Sequence, residues 1–166
     1  MPATYEPIAT TTLGSAASSI TFSSIPSTYT DLRLVIVGQG SGNGYYAFRF
    51  NGVSTNTYNA TYLVGNGSAV SSARLGAYSS GIMHYSGFIP TTQWSMATLD
   101  VFSYAGSTNK TCLSDYSADT NGSGSKELGV TLWSNTSAIT SITIRTDSAA
   151  QYAVGTTATL YGILRA

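Results

Sequence analysis

Short runs in which apolar and polar residues alternate follow one another along the whole chain. In the run 31–37, Leu32, Leu34 and Ile36 fall on one side of an extended backbone, and the other side is also largely apolar, as in a central strand. A period of two residues predicts β-strands, and no segment has the longer period of an amphipathic helix. Predicted strands lie at 5–13, 17–25, 31–37, 45–50, 58–64, 94–104, 110–116, 128–133, 139–145 and 156–164, with weaker ones at 73–78 and 82–88.

Residues that favour tight turns separate these runs. Asn-Gly pairs occur at 43–44, 51–52, 66–67 and 121–122. Asn and Gly tolerate the positive φ angles that two-residue hairpin turns require. Short strands between regularly spaced turns predict an all-β chain that forms a single β-sandwich over residues 1–166, jelly-roll-like, with about 8–10 antiparallel strands.

The composition narrows the range of functions. Only 8% of the residues are charged, against about 25% in a typical soluble domain. The net charge is zero and no basic stripe occurs, which argues against a nucleic-acid partner. No stretch approaches the roughly 18 apolar residues of a membrane span, and the N-terminus lacks the features of a signal peptide. We therefore expect synthesis in a cytoplasm, no secretion by that route and no membrane association.

Few residues suit catalysis. His84 is the only histidine and Cys112 the only cysteine, whereas a catalytic triad or a zinc site needs several such groups. Asp100 interrupts an apolar strand, where we expect it to face outward or to meet an arginine such as Arg49. No pair of carboxylates stands out as an acid and base for glycoside hydrolysis. The prediction is a protein that is not an enzyme, without catalytic residues or a cofactor.

A polar loop is predicted at 117–125, and the overlapping segment 119–127 has part of the pattern of a calcium loop. Oxygen-bearing side chains alternate with other residues from Asp119 onward, and a glycine follows, as calcium loops require. The twelfth position is Val130, where such loops carry a bidentate glutamate. A solvent-exposed loop is the simpler interpretation, and the weak candidate ligands for an ion are Asp119, Asn121, Ser123 and Glu127.

Aromatic residues are the candidates for contacts with other molecules. Tyrosine and tryptophan are enriched in protein interfaces and also stack on sugars. A subunit interface, a hydrophobic core and a sugar-binding face therefore remain open for them. The interface candidates are Tyr45, Tyr46, Tyr58, Tyr62, Tyr78 and Trp94.

Both ends of the chain resemble a group of small virion proteins of tailed bacteriophages. The matching segments are YEPIATTTLGS (5–15), ITFSSIP (20–26) and YTDLRL (29–34) near the start, and AVGT (153–156) and TLYGI (159–163) near the end. These motifs are structural, so the resemblance implies a particle component and carries over no catalytic residue. We expect the two ends to form paired strands, with Pro7 at a sheet edge, where its missing N–H costs little.

The resemblance implies a function in the virion of a phage made in a bacterial host cytoplasm. The first expectation is a capsid decoration (cement) protein that binds as a homotrimer and bridges major capsid subunits or other virion proteins. The alternative is a tail fibre or receptor-binding module that recognises host surface glycans. A polysaccharide-cleaving enzyme is a third possibility that no residue pattern supports.

Overall fold

Twelve β-strands account for the regular structure of a computed structural model that describes residues 4–42, 44–86 and 88–164. No helix occurs in these residues. The strands are β1 (Tyr5–Thr12), β2 (Ser19–Phe22), β3 (Asp31–Gly38), β4 (Tyr46–Phe50), β5 (Tyr58–Gly65), β6 (Val70–Tyr78), β7 (Gly81–Ile82), β8 (Ser95–Val101), β9 (Lys110–Asp119), β10 (Gly124–Trp133), β11 (Ile142–Thr146) and β12 (Thr157–Ile163).

The strands form two antiparallel sheets of unequal size. The larger sheet has eight strands in the order β1-β12-β3-β8-β9-β10-β5-β6, and the smaller has four in the order β2-β11-β4-β7. The predicted all-β sandwich is confirmed. The predicted strand number is too low, because β6 is a full strand and the two-residue β7 also pairs. The predicted jelly-roll topology is not confirmed.

The core lies between the two sheets and follows the predicted alternation. In β3, Leu32, Leu34 and Ile36 are fully buried, and the strand lies between β12 and β8, as its two apolar faces predict. From the smaller sheet, Phe48 and Ile144 enter the same core. Because side chains point alternately to the two faces of a strand, each sheet contributes every second residue to this layer.

The first and last strands lie side by side, as predicted. Tyr5 pairs with Ile163, and the backbone N–H of Leu164 donates to the carbonyl of Thr4 at 3.0 Å. Strand β1 is an edge of the larger sheet and its register shifts just after Pro7. The sheet therefore places proline where no neighbouring strand needs its N–H.

The Asn-Gly pairs have three different outcomes. Those at 66–67 and 121–122 form the predicted hairpin turns, joining β5 to β6 and β9 to β10, with φ of 88° at Gly67 and 56° at Asn121. The pair at 51–52 also turns the chain, but it connects strands of different sheets. The pair at 43–44 includes Asn43, which lies outside the described residues. The predicted loop 117–125 is shorter than expected, because β9 continues to Asp119 and β10 begins at Gly124.

A long irregular segment covers the inner face of β5 and β10. We call residues 79–86 and 88–94 the covering segment; it contains β7, and its Met83, His84 and Ile89 are buried. The Tyr62 hydroxyl donates to the Ile82 carbonyl at 2.5 Å, which ties the segment to β5. This segment closes the part of the core where β5 carries Ala60, Tyr62 and Val64 inward.

Candidate functional site

Five aliphatic side chains lie exposed on the outer face of the larger sheet. We call them the contact face, and between 39% and 51% of each residue is accessible to solvent. Leu128 is the direct cross-strand neighbour of Leu63, and Val130 is that of Leu113. The contact face consists of Leu63 on β5, Leu113 on β9, and Leu128, Val130 and Leu132 on β10. An antiparallel sheet commonly carries polar residues on its solvent side, and a contiguous apolar patch indicates an interaction site.

The contact face exists because large aromatic residues occupy the opposite side of the same strands. Tyr62 on β5 lies over Gly129 of β10, where a Cβ atom would come within 2.7 Å of the tyrosine ring. Trp133 at the end of β10 is fully buried. These rings fill the interior, so the aliphatic residues of β10 point outward. The sequence analysis missed this surface, because alternation shows which residues share a face but not which face is buried.

Charged residues flank the contact face. On β8 and β3, Asp100 lies 3.6 Å from the Arg33 guanidinium, so Asp100 faces outward and meets Arg33 rather than Arg49. Partial burial raises the pKa of Asp100, and Arg33 opposes that rise. On β6, the guanidinium of Arg74 forms no ion pair or hydrogen bond with any residue that the structure describes. The β6 side of the contact face therefore has an arginine without an ion-pair partner. The β8 side has a carboxylate that is paired with Arg33 at 3.6 Å.

Trp94 borders a groove of about 490 Å³ at one end of the same sheet. Half of the tryptophan is exposed, and a Cβ on Gly155 would lie 3.3 Å from its Cη2 atom, so the ring lies against the backbone of Gly155. We call this the Trp94 groove, and its lining side chains include Val37, Trp94, Met96, Ser117, Asp119 and Ser125. An aromatic ring beside hydroxyl and carboxylate groups is a combination that suits sugars.

The structure separates the aromatic interface candidates into two groups. Tyr46, Tyr58 and Tyr62 are at most 1% exposed, so their prediction as interface residues is wrong. Tyr46 enters the core from β4 of the smaller sheet, and Tyr58 and Tyr62 enter it from β5 of the larger sheet. Tyr46 stacks on Tyr152 with ring centroids 5.7 Å apart. They are core residues, which the sequence analysis left open as an alternative.

The other three aromatic candidates reach the surface at separate places. Tyr45 is half-buried, with its ring centroid 5.2 Å from that of His84. Tyr78 is exposed at the end of the edge strand β6, and Trp94 borders its own groove. The structure therefore does not bring these residues together into one aromatic surface.

The candidate calcium ligands do not converge. The Asp119 carboxylate accepts the N–H of Asn121 at 2.8 Å within the hairpin turn, and Ser123 bonds to Thr120. Glu127 points to the other side of the sheet, where it is fully buried. Among the described residues, no group of three His, Cys, Asp or Glu side chains could hold a metal ion.

Glu127 instead holds the covering segment in place. Its carboxylate accepts the backbone N–H of Tyr85 at 2.6 Å, the N–H of Ser86 at 3.1 Å and the Ser86 hydroxyl at 3.1 Å. Buried backbone N–H groups outside strand ladders need other hydrogen-bond partners, so a buried carboxylate that accepts them fixes the path of the chain. The role of Glu127 in the described structure is a buried anchor.

His84 is buried and makes two hydrogen bonds. Its Nε2 accepts the N–H of Tyr46 at 3.0 Å, and its Nδ1 lies 3.2 Å from the Ser86 carbonyl. The imidazole stacks on Tyr116 at a centroid distance of 4.0 Å. Burial lowers the pKa of His84 to about 4, so the ring is neutral at physiological pH. A histidine with both nitrogens engaged packs as part of the core.

Cys112 is also buried, on the inner face of β9. Burial raises the pKa of its thiol far above the ordinary range, and nearby Lys110 opposes this only weakly. Reactive cysteines have accessible thiols and a lowered pKa. The environment of Cys112 is therefore that of a packed hydrophobic side chain.

Comparisons with known proteins do not identify the chain. The sequence matches no known protein-family model, and no curated protein sequence is significantly similar to it. The described residues contain no helix with the length and apolar character needed to cross a membrane. The resemblance of both chain ends to phage virion proteins therefore stays a prediction. The contact face and the Trp94 groove are the features that bear on function.

Proposed function

We propose that this chain is a bacteriophage virion protein that acts by binding other proteins, as a capsid decoration (cement) protein. In this role it stabilises the head by bridging major capsid subunits, and it catalyses no reaction. Its working surface is the contact face, its location is the virion, and its partners are capsid or other virion proteins together with copies of itself. A homotrimer on the capsid lattice is one arrangement of those copies.

The contact face is the observation that carries this proposal. Burying an exposed leucine side chain contributes roughly 1 to 2 kcal/mol when apolar surface leaves water. Five such side chains in register on the outer face of a sheet offer a preformed apolar centre, as the core of a protein interface does, whereas small-molecule sites are concave. A rigid face also loses little conformational entropy on binding.

Low surface charge and the chain ends give further support. Seven basic and seven acidic residues in 166 leave most of the surface neutral and hydroxyl-rich, which does not oppose close packing of many copies. The segments that resemble phage virion proteins supply β1, β2, β3 and β12. They are therefore framework strands rather than incidental surface loops.

The first test is to count copies of the chain in purified phage particles by quantitative mass spectrometry. A decoration protein occupies repeated lattice positions, so we expect hundreds of copies per particle, on the order of one per capsid subunit or per capsomer. Detection of only a few copies would place the chain in the tail. Absence from purified particles would contradict a virion function altogether.

A second test compares two exposed valines, one inside the contact face and one outside it. Val130 lies in the contact face and Val154 lies outside it, and both are well exposed. Val130→Lys should reduce binding to undecorated capsids at least tenfold, because it puts a charge into the apolar centre. Val154→Lys should bind like the parent protein. Equal binding by all three proteins would show that the contact face is not the capsid-binding surface.

A glycan-binding tail module is the second candidate function, and the Trp94 groove favours it. The indole ring offers a flat apolar surface, and Asp119, Ser117 and Ser125 offer hydrogen-bonding groups beside it. Sugars bind through this combination of ring stacking and polar contacts. This candidate requires the groove to be free in the particle and exposed toward the host.

Glycan-array binding separates the two candidates. The receptor-binding function predicts a signal that Trp94→Ala abolishes and that Phe102→Ala retains, since Phe102 is an exposed aromatic residue outside the groove. Absence of binding to host surface polysaccharide by the full chain would remove this second candidate. That result would leave the decoration function unaffected.

A further inference from the structure

We propose that the contact face binds the contact face of a second copy of this chain, with a two-fold axis that runs parallel to β10. This inference rests on the proposed function and concerns the free chain: it names a second copy as the partner of the same surface in solution, which capsid subunits displace on binding. In this pair, β10 meets β10 of the other copy, and charged residues on β6 and β8 of the two copies meet.

The area of the face is sufficient for a stable pair. The five strands from β6 through β5, β10 and β9 to β8 are neighbours in the larger sheet. The contact face and its flanking strands contain four rows of outward side chains, which pass through Lys126, Leu128, Val130 and Leu132 of β10. With strands about 4.8 Å apart and rows about 6.7 Å apart, these four rows cover about 600 Å² per copy. Two copies would bury about 1,200 Å², the lower end of the range for specific protein interfaces.

The outer face is arranged symmetrically around β10. This strand carries three of the five contact-face residues, and two neighbouring strands of the larger sheet lie on each side of it. An axis parallel to β10 places that strand over itself in the partner, so that Leu128, Val130 and Leu132 meet their own copies. Lys126, the next outward-facing residue of β10, also meets its own copy, and its ion pair with Asp115 neutralises its charge. The same rotation places β6 of one copy over β8 of the other.

The register of the sheet brings opposite charges together across this axis. Arg74 pairs with Thr61, Thr61 with Val130, Val130 with Leu113, and Leu113 with Asp100, so all five lie in one row across the sheet. Arg74 on β6 is therefore as far from β10 on one side as Asp100 on β8 is on the other. The two-fold rotation places each Arg74 over the partner's Asp100.

The charges also exclude the other simple two-fold arrangement. An axis across the strands would place β6 over β6 and β8 over β8, which leaves Arg74 without an acid and puts Asp100 against the same row in its copy. Aligned sheets pack at about −30° rather than parallel, and a long arginine side chain can accommodate the resulting offset. Arg74 has no other partner among the described residues, so it is free to make this contact.

A face that binds the same face of another copy forms dimers and not trimers. In such a contact each copy uses the same patch, which requires a two-fold axis. A trimer would have to use a different surface, such as the sheet edges. The mass of the species that depends on the contact face therefore tests the inference.

The first measurement is light scattering coupled to size-exclusion chromatography over a range of concentrations. The parent protein should reach twice the 17.3 kDa chain mass, and Val130→Lys should raise the dissociation constant at least tenfold. Val154→Lys is the matched control and should behave like the parent. A monomer at every concentration, or a larger species that Val130→Lys leaves unchanged, would overturn the inference.

The second measurement is a double-mutant cycle on the dissociation constant, with Arg74→Gln and Asp100→Asn. Within one chain these residues lie four strand spacings, or about 19 Å, apart, too far for direct coupling. Each variant should raise the dissociation constant about tenfold, and the double variant should be no weaker than either. The control pair, Arg74→Gln with Glu6→Gln, should be additive, because Glu6 lies on β1, far from the contact face. Additivity in both cycles would exclude the proposed register.

These results remain separate from the test of the proposed function. Copy counting in particles asks whether the chain is a virion protein, whatever its state in solution. A monomeric chain found in hundreds of copies per head would overturn the pair and retain the decoration function. A dimer that is absent from purified particles would do the reverse.

Discussion

At the scale of single residues, the buried tyrosines differ in what their hydroxyls contact. The Tyr58 hydroxyl accepts the backbone N–H of Phe50 at 2.9 Å, and burial raises the pKa of Tyr58 to about 12. The Tyr152 hydroxyl is fully buried and has no hydrogen-bond partner among the described residues. A buried hydroxyl without a partner costs free energy, whereas a bonded one satisfies another group.

Removal of these two hydroxyls should therefore affect the free energy of unfolding differently. Tyr58→Phe leaves the N–H of Phe50 unsatisfied and should lower the free energy of unfolding by about 1 to 3 kcal/mol. Tyr152→Phe keeps the ring and should leave that free energy unchanged or slightly higher. Urea unfolding of the two variants provides the measurement. A loss for Tyr152→Phe as large as that for Tyr58→Phe would contradict the assignment of an unsatisfied hydroxyl.

His84 should make the folded chain sensitive to acid. The unfolded chain takes up a proton at this histidine as pH falls through its ordinary pKa of 6.5, but the folded chain does so only near pH 4. The unfolded state therefore binds more protons between these values, and stability falls as pH decreases through this window. The full effect is roughly 3 kcal/mol and is absent above pH 6.5.

The variant His84→Gln isolates this contribution. Its amide oxygen can still accept the N–H of Tyr46, but it does not titrate. Thermal unfolding at pH 7 and pH 4.5 should show a larger loss of stability for the parent than for the variant. All other titratable groups are the same in both proteins, so the difference between the two reports on His84. Identical pH profiles would mean that the pKa of His84 is not lowered in the folded state.

At the scale of elements, β10 has the opposite orientation to the one that hydrophobicity alone favours. Leu128, Val130 and Leu132 point outward, while Glu127 and Gly129 point inward. A one-residue shift in register would reverse this, but the strand pairs continuously with β5 and β9. Its orientation is set by what must fit inside: the Tyr62 ring over Gly129 and the Glu127 carboxylate under the covering segment.

Glu127→Gln tests the anchoring of the covering segment. One carboxylate oxygen becomes an NH₂ group, which cannot accept the amides of Tyr85 or Ser86. We expect a loss of about 2 to 3 kcal/mol, since hydrogen bonds to a charged acceptor are the stronger kind. Hydrogen exchange at residues 82–86 should become faster than in the parent protein. Exchange in the larger sheet should change less.

The chain's other glutamate supplies the control for this experiment. Glu6 is not buried, and its recorded hydrogen bond is a 3.3 Å contact from the Tyr29 hydroxyl. Glu6→Gln should leave both stability and hydrogen exchange of the covering segment as in the parent protein. If Glu127→Gln has the same small effect, the segment is held by its apolar contacts and not by the carboxylate.

At the scale of the whole molecule, the larger sheet is complete only when the strands at the two ends of the chain pair. Strand β12 lies between β1 and β3, so β1 covers what would otherwise be an open edge. Ile8 and Leu13 also pack against the core. Contacts between residues so distant in sequence are slow to form, and they make the sheet cooperative.

Removal of residues 1–12 should therefore destabilise the entire sandwich. The loss of one ladder and of the Ile8 contact should cost about 3 kcal/mol or more, which lowers the Tm by roughly 10 °C. Light scattering should rise as well, because β12 becomes an exposed edge that can pair with other chains. Differential scanning fluorimetry gives the Tm directly.

A double variant provides the comparison for this truncation. Thr10→Ala with Thr12→Ala keeps β1 but removes its hydroxyl contacts, at 3.0 and 2.9 Å, to Thr159 and Thr157. These exposed pairs should contribute less than about 1 kcal/mol each. A truncated chain that melts at the same temperature as this double variant would show that β1 is dispensable.

The sequence by itself determined the fold class, most strand positions and the pairing of the chain ends. Alternation along β3, with Leu32, Leu34 and Ile36 on one face, is a local pattern that a strand must satisfy wherever it lies. The turn residues at 66–67 and 121–122 act locally in the same way, since their backbone angles do not depend on distant contacts. Such features can be recognised along a single sequence.

Only the tertiary structure decided which face of a strand is buried and which polar groups meet. Alternation in β10 alone favours burial of its aliphatic side, and the opposite outcome depends on the volume of Tyr62 and Trp133, which β5 and the end of β10 bring into the interior. The same holds for Glu127, whose partners at 85 and 86 are distant in sequence. Burial is a property of packing between elements, so no local pattern can fix it.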